Sequence, residues 1–210
     1  MHKILKSLAV LMIGTGAMFS SIPSYASEAG DILIRLRGIG VIPDDGGNTT
    51  IGGEPDLSNS YVPELDISYF FTKNIAAELI LATTKHNAKV KNITGGGGAD
   101  LGDVMLLPPT LTVQYHFTNF GKFKPYVGAG VNYTIFYNAD GANGLDVDYD
   151  NNFGAAAQIG MDYELNDVWS LNLDVKRLWL NTDATINGGA IKGDVDVDPW
   201  IVGVGIGYRF

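Results

Sequence analysis

Apolar and polar residues alternate one by one in eight stretches of this 210-residue chain, each bounded by turn-forming residues. A period of two places the apolar side chains on one face of a strand and the polar ones on the other. The stretches cover about 32–41, 61–71, 75–84, 106–117, 124–136, 153–163, 169–185 and 198–210. In the first, Ile32, Ile34 and Leu36 oppose Arg35 and Arg37, and in the last, Val202, Val204 and Ile206 oppose Gly203, Gly205 and Gly207. After residue 26 no run reaches the ~18 uninterrupted apolar residues that a spanning helix needs. If such a chain crosses a membrane, it does so as a closed barrel, because lipid satisfies no backbone group at a sheet edge.

The connections alternate in length. Residues 72–74, 118–123 and 164–168 form short ones; 42–60, 85–105, 137–152 and 186–198 form long ones. Short turns on one side and long loops on the other is the construction of outer-membrane barrels. Aromatic residues sort to the segment ends. Phe71, Phe117, Tyr163, Trp169, Tyr208 and Phe210 lie beside the short turns; Tyr61, Phe136, Phe153, Trp179 and Trp200 lie beside the long loops. Two aromatic belts match the two bilayer interfaces. A soluble sandwich or barrel also alternates, but its apolar face is the interior and its aromatics need not sort to the ends. The expected fold is all-β: an eight-stranded antiparallel transmembrane β-barrel with short periplasmic turns and long extracellular loops.

The N-terminus adds an export signal. Lys3 and Lys6 precede an apolar core at residues 8–19, and Ser24-Tyr25-Ala26 places small residues where a signal peptidase needs them. Residues 1–26 are expected to be a cleaved signal peptide and 27–210 the barrel; a retained anchor is disfavoured because the core is short. Composition narrows the partners. The net charge of −9 argues against nucleic acid, which needs a basic face. The absence of Cys removes disulfides, thiolate metal sites and a lipidated N-terminal Cys.

In a membrane barrel the polar face points inward, and eight strands leave a lumen that side chains fill. Arg35, Arg37, Asp66, Glu78 and Asp174 fall at similar depths in the periplasmic half. Buried charges must be paired. Arg35 and Arg37 are therefore expected to pair across the lumen with Glu64, Asp66 and Glu78, plugging it against ion flow. Gly203, Gly205 and Gly207 leave room for the long arginine side chains. The plug is structural first, and a gate or proton relay second. Toward the outside the inward positions turn apolar: Ile39, Val41, Leu106, Leu178, Leu180 and Ile201. That is either the packing of a narrow mouth or a pocket for a small apolar molecule, released sideways into the bilayer. Pro108 and Pro109 cannot donate to the ladder and weaken pairing in the fourth strand.

Catalysis and metal binding find little support. His86 and His116 lie a barrel height apart, and no serine motif accompanies either, so a rim hydrolase using His86 is the weaker alternative. Asp146, Asp148 and Asp150, and Asp194, Asp196 and Asp198, resemble oxygen-ligand spacing but lack the Gly and Glu of a Ca²⁺ loop. They are expected to be strand extensions above the membrane; divalent bridging to lipopolysaccharide is the alternative. No catalytic residue, cofactor or metal site is assigned.

The stretches "LPPTLTVQYHF", "KPYVGAGVNYT", "GAAAQIGMDYELN" and "DPWIVGVGIGYRF" together resemble the outer-membrane protein W (OmpW) family of Gram-negative bacteria. The resemblance spans the chain after residue 26 and is strongest at 106–134 and from 153 to the end; the loop 43–60 departs from the pattern. It implies a monomeric eight-stranded barrel in the outer membrane. Its hydrophobic channel would be closed toward the periplasm and pass small hydrophobic molecules by lateral exit, with no cofactor and no enzymatic activity. The ending with Tyr208 and a terminal Phe210 resembles the signal read by the barrel-assembly machinery. The expected partners are outer-membrane lipid or lipopolysaccharide, that machinery and a small hydrophobic ligand. The competing expectation is a structural or surface-interaction barrel serving adhesion, phage or bacteriocin binding, or envelope stress.

Overall fold

The computed structural model describes residues 28–210; the expected signal peptide, residues 1–26, lies outside them. Its strands in chain order are β1 (Ile32–Ile42), β2 (Gly46–Thr49), β3 (Glu54–Leu57), β4 (Ser60–Phe70), β5 (Ile75–Ala82), β6 (Thr84–Lys91), β7 (Ala99–Leu107), β8 (Thr110–His116), β9 (Phe123–Gly141), β10 (Val147–Tyr149), β11 (Asn152–Glu164), β12 (Trp169–Trp179), β13 (Asn181–Ile186), β14 (Ile191–Asp196) and β15 (Trp200–Arg209). Eight of them, β1, β4, β5, β8, β9, β11, β12 and β15, pair in antiparallel succession, and β15 returns to pair with β1. The sheet closes on itself, so no edge is left to satisfy.

Side-chain chemistry explains the inside and the outside. Leu36, Val113, Val131, Ile159 and Val204 are each more than half exposed, while Arg35, Arg37, Glu78 and Asp174 are buried. A soluble protein rarely exposes a continuous apolar band of this kind; in a bilayer that band faces hydrocarbon. Aromatic pairs girdle the lower rim: Trp169 against Tyr208 at 4.9 Å, Tyr208 against Phe210 at 4.7 Å, and Phe123 against Tyr163 at 4.9 Å. Tyr61, Phe153, Trp179 and Trp200 mark the upper rim on the outer face. Phe136 is the exception to the expected belt. It lies on the inward parity of β9 and stacks on Tyr149 at 5.6 Å, within the extracellular cap.

The lower turns follow from their sequence. Thr72 Oγ1 accepts from the backbone N–H of Asn74 and Ile75, and Asn166 Oδ1 accepts from those of Val168 and Trp169. Such local side-chain acceptors tighten a turn without help from packing.

The long connections differ from the expectation of loops. They carry the alternation onward as strands above the membrane. In β6, Thr84, His86, Ala88 and Val90 are buried while Lys85, Lys89 and Lys91 face out. The third stretch therefore runs past 84 with a break at Thr83, the seventh divides between β12 and β13, and the fifth extends to Gly141. The fourth divides at Pro108 and Pro109, where two prolines remove two ladder donors. The cap consists of two walls: β3, β6 and β7 leaning on the top of β9, and a four-stranded sheet ordered β10-β13-β14-β2.

Candidate functional site

Two layers stack inside the barrel. The lower is ionic. Arg35 grips Asp162 with two hydrogen bonds, Nε to Oδ1 at 3.0 Å and Nη2 to Oδ2 at 2.6 Å, and Glu78 with Nη1 at 2.9 Å. Arg37 reaches Glu64 at 3.0 Å, Asp66 at 3.2 Å and Glu78 at 3.1 Å. All five residues expected in this cluster, Arg35, Arg37, Glu64, Asp66 and Glu78, therefore meet. Glu78 sits at the centre, its second oxygen accepting from Gln114 at 2.6 Å and Gln158 at 2.8 Å. Lys176 joins from β12, pairing with Glu64 at 2.5 Å and Asp174 at 3.3 Å. None of these charged side chains is more than 3% exposed. Multiple partners per charge are what a low-dielectric site requires.

The strand register makes the space. Arg35 stands opposite Gly207, Arg37 opposite Gly205 and Ile39 opposite Gly203. A Cβ on Gly207 would fall 3.4 Å from Arg35 Cγ, and one on Gly203 would fall 3.4 Å from Arg37 Cδ. The glycine face of the last strand therefore accommodates both guanidinium stems, as the sequence suggests.

The upper layer is apolar. Ile39, Val41, Leu178 and Ile201 pack with Ala156 into one buried cluster, and Leu180 belongs to the next cluster above. Leu106 faces them across a cavity of about 30 Å³, whose base is formed by Glu64 and Lys176 and whose wall includes His86 and Pro108. All six expected apolar positions, Ile39, Val41, Leu106, Leu178, Leu180 and Ile201, line this cavity. Beside it the wall is incompletely laddered. The β5–β8 ladder ends at Ile80 and Thr110, and the β6–β7 ladder resumes at Thr84 and Leu106. Residues 81–83 face 107–109 without a ladder pair, at the two prolines.

The sequence over residues 28–210 matches the model of the OmpW family. The chain belongs to the OmpW family. It is 37% identical to outer membrane protein W of Vibrio cholerae, over 100% of both chains. It is 30% identical to the dibenzothiophene metabolism operon protein PahQ of Pseudomonas aeruginosa, over 78% of each chain. The crystal structure of outer membrane protein OprG from Pseudomonas aeruginosa superposes with a TM-score of 0.80 at 32% identity, covering 87% of this chain and 97% of that one. The fold is thus an outer-membrane β-barrel, and the location is the outer membrane of Gram-negative bacteria.

Within this OmpW-family barrel, several residues of the ionic floor escaped the sequence reading: Asp162, Lys176, Asn172 and Tyr126. Asn172 accepts from Arg37 Nε at 2.7 Å, and Tyr126 donates its hydroxyl to Asp174 at 2.7 Å while its ring lies under Arg35. The available signal was parity, since Asp162, Asn172 and Lys176 occupy inward positions of their strands. Tyr126 shares the inward parity of Gly128, Gly130 and Asn132 on β9, but an aromatic near a strand end also suggests a belt; this one enters the lumen over Gly160, where a Cβ would lie 2.3 Å from its ring.

The two histidines serve different layers. His116 stacks on Tyr126 at 4.9 Å and pairs with Gln114 at 2.8 Å, in the floor. His86 lies above the apolar band, next to Lys85, which meets Asp103 on the outer face at 2.7 Å. Its ring engages the Ser58 carbonyl at 2.6 Å and the Thr84 hydroxyl at 3.0 Å, both neutral groups. Burial pushes its pKa below the usual histidine value, so it lines the cavity as a neutral ring. Asp148 lies in β10 and Asp194 and Asp196 lie in β14, as strand extensions, whereas Asp146, Asp150 and Asp198 lie outside the strands. Among the described residues, no group of three or more His, Asp and Glu side chains is arranged to hold a metal ion.

Proposed function

We propose that this barrel is a passive carrier that admits small apolar molecules from outside, holds them above the ionic floor and releases them sideways into the membrane. The observation that carries this reading is the abrupt change inside the lumen. A cavity walled by Ile39, Leu106, Leu178 and Ile201 rests directly on Glu64 and Lys176. An apolar molecule gains by entering the upper layer and loses by displacing ion pairs below it. The remaining way out is lateral. The unladdered stretch at 81–83 and 107–109 is the weakest part of the adjacent wall, since opening it breaks few hydrogen bonds. A relative named for a dibenzothiophene metabolism operon fits cargo of this chemistry.

The test is uptake of a small hydrocarbon by cells carrying Leu106→Asp or Leu178→Asp. A carboxylate in the upper layer should abolish uptake with barrel levels in the membrane unchanged. Uptake unaffected by both substitutions overturns the carrier reading in favour of a structural or surface-interaction barrel.

A further inference from the structure

We infer that Tyr137 is the latch of the barrel wall: its hydroxyl, bonded to Thr83 across an intervening strand, sets how readily the wall parts at Pro108 and Pro109. Its bearing on cargo release rests on the carrier reading. The strand register places the pair. Tyr137 of β9 stands opposite Met105 of β7, and on the other side of β7 Leu106 stands opposite Thr84 of β6. Residues 105–107 therefore lie between Tyr137 and Thr83. Both side chains fall on the outward parity, Thr83 with the exposed Leu79 and Tyr137 with the exposed Val131. The bond between their hydroxyls passes over β7 on the outer face and ends on the lip of the unladdered stretch.

Each lip of that stretch is held from behind. Leu81 and Ala82 pair with Leu65 and Glu64 of β4. Leu107 pairs with Ile135 of β9, and the Pro109 carbonyl accepts from the Tyr133 N–H at 3.1 Å. From one lip to the other side, between the two flanking ladders, the described residues make two hydrogen bonds, and both use the Thr83 hydroxyl. A carbonyl only accepts, so Thr83 donates to the Leu106 carbonyl at 3.4 Å. The proton in the other bond then comes from Tyr137, which donates to Thr83 Oγ1. Where two prolines remove the backbone donors, this relay of side chains stands in for the missing rungs.

Depth gives the bond its weight. The β4–β5 ladder ends at Glu64 and Ala82, so Thr83 lies level with Pro63, two residues below Tyr61 of the upper aromatic belt. At that depth water is scarce, and hydroxyls that part find few other partners. One such bond shifts an opening equilibrium by about fivefold. That is enough to favour the closed wall and too little to prevent its opening.

The experiment compares the full mature chain with three variants in lipid nanodiscs. Amide hydrogen exchange is read at residues 81–83 and 106–107, and uptake of a small hydrocarbon is measured in cells. Tyr137→Phe keeps the ring and removes the donor. Exchange at the gap should quicken about fivefold, with the amides of β12 and the urea midpoint unchanged. Thr83→Val removes both bonds and should quicken it further, whereas Thr83→Ser keeps the hydroxyl and should exchange like the native chain. Uptake should rise in the same order. Native exchange in Tyr137→Phe, quickening spread over the whole barrel, or Thr83→Ser matching Thr83→Val overturns the latch. Quicker exchange with uptake unchanged upholds the latch and counts against lateral release. Faster uptake without quicker exchange overturns the latch and leaves the carrier reading standing.

Discussion

Arg37 stands directly opposite Gly205 at the seam where the last strand meets the first, and a Cβ on Gly205 would lie 2.7 Å from Arg37 Cα and 2.2 Å from the Leu36 carbonyl oxygen. The barrel closes here because the two backbones approach to a distance that only glycine permits. Gly205→Val should therefore destabilise the barrel by about 1–3 kcal/mol through overpacking. Gly38→Ala, on the lipid face of the same seam with nothing within 4 Å of the added carbon, should be neutral or slightly stabilising. Urea midpoints of the folded band on semi-native gels compare the two; equal midpoints would show that the close approach is unimportant.

Glu78 is the acid shared by both arginines. Glu78→Gln keeps the shape and removes the charge that balances two guanidinium groups, which should cost about 3–5 kcal/mol. The floor should also leak. In planar bilayers the native barrel is expected to show no steady large current, and Arg37→Ala, which removes the guanidinium shared by Glu64, Asp66 and Glu78, should introduce one. A steady large current from the native barrel would refute the plug.

Pro108 and Pro109 interrupt the strand at the proposed exit. Replacing them with Val and Thr restores two backbone donors and should extend the ladder from Ile80–Thr110 toward Thr84–Leu106. The expected outcome is slower hydrocarbon uptake with barrel levels in the membrane unchanged. Amide hydrogen exchange at residues 81–83 and 107–109 reports whether the gap has closed; uptake at the native rate through a closed gap would exclude this exit.

Phe210 is tied in by its backbone: its N–H donates to the Ile32 carbonyl at 2.9 Å, and its ring meets Tyr208. Deleting it removes the last rung of the closing seam as well as part of the lower aromatic belt. Barrel levels in the outer membrane, measured by heat-modifiable mobility, should fall, with unfolded chain accumulating in the periplasm. Native levels of the truncated chain would show that the terminal residue is dispensable for assembly.

The alternation in "ILIRLRGIG" and "WIVGVGIGYR" was enough to assign the lipid and lumen faces, because period two is a local property of a strand. It also placed Arg35 and Arg37 with Glu64, Asp66 and Glu78, since these residues lie on neighbouring strands at matching depths. Asp162 and Lys176 share that inward parity but reach the cluster across the lumen. Which charges meet across a closed barrel depends on strand tilt and stagger, and neither is a local property. Apart from the strand extensions expected at the two acidic runs, the extracellular strands were missed because Gly runs and charges resemble loops wherever the outward face meets water.

By itself, the sequence determined the fold class, the two faces, the closing strand and the apolar character of the upper lumen, because each depends on residues near one another along the chain. Only the tertiary structure decided that Glu78 centres the floor, that Tyr126 enters the lumen over Gly160, and that two extracellular walls enclose a cavity. Those features arise from side chains that meet only once the sheet has closed, at distances set by the register of every strand between them.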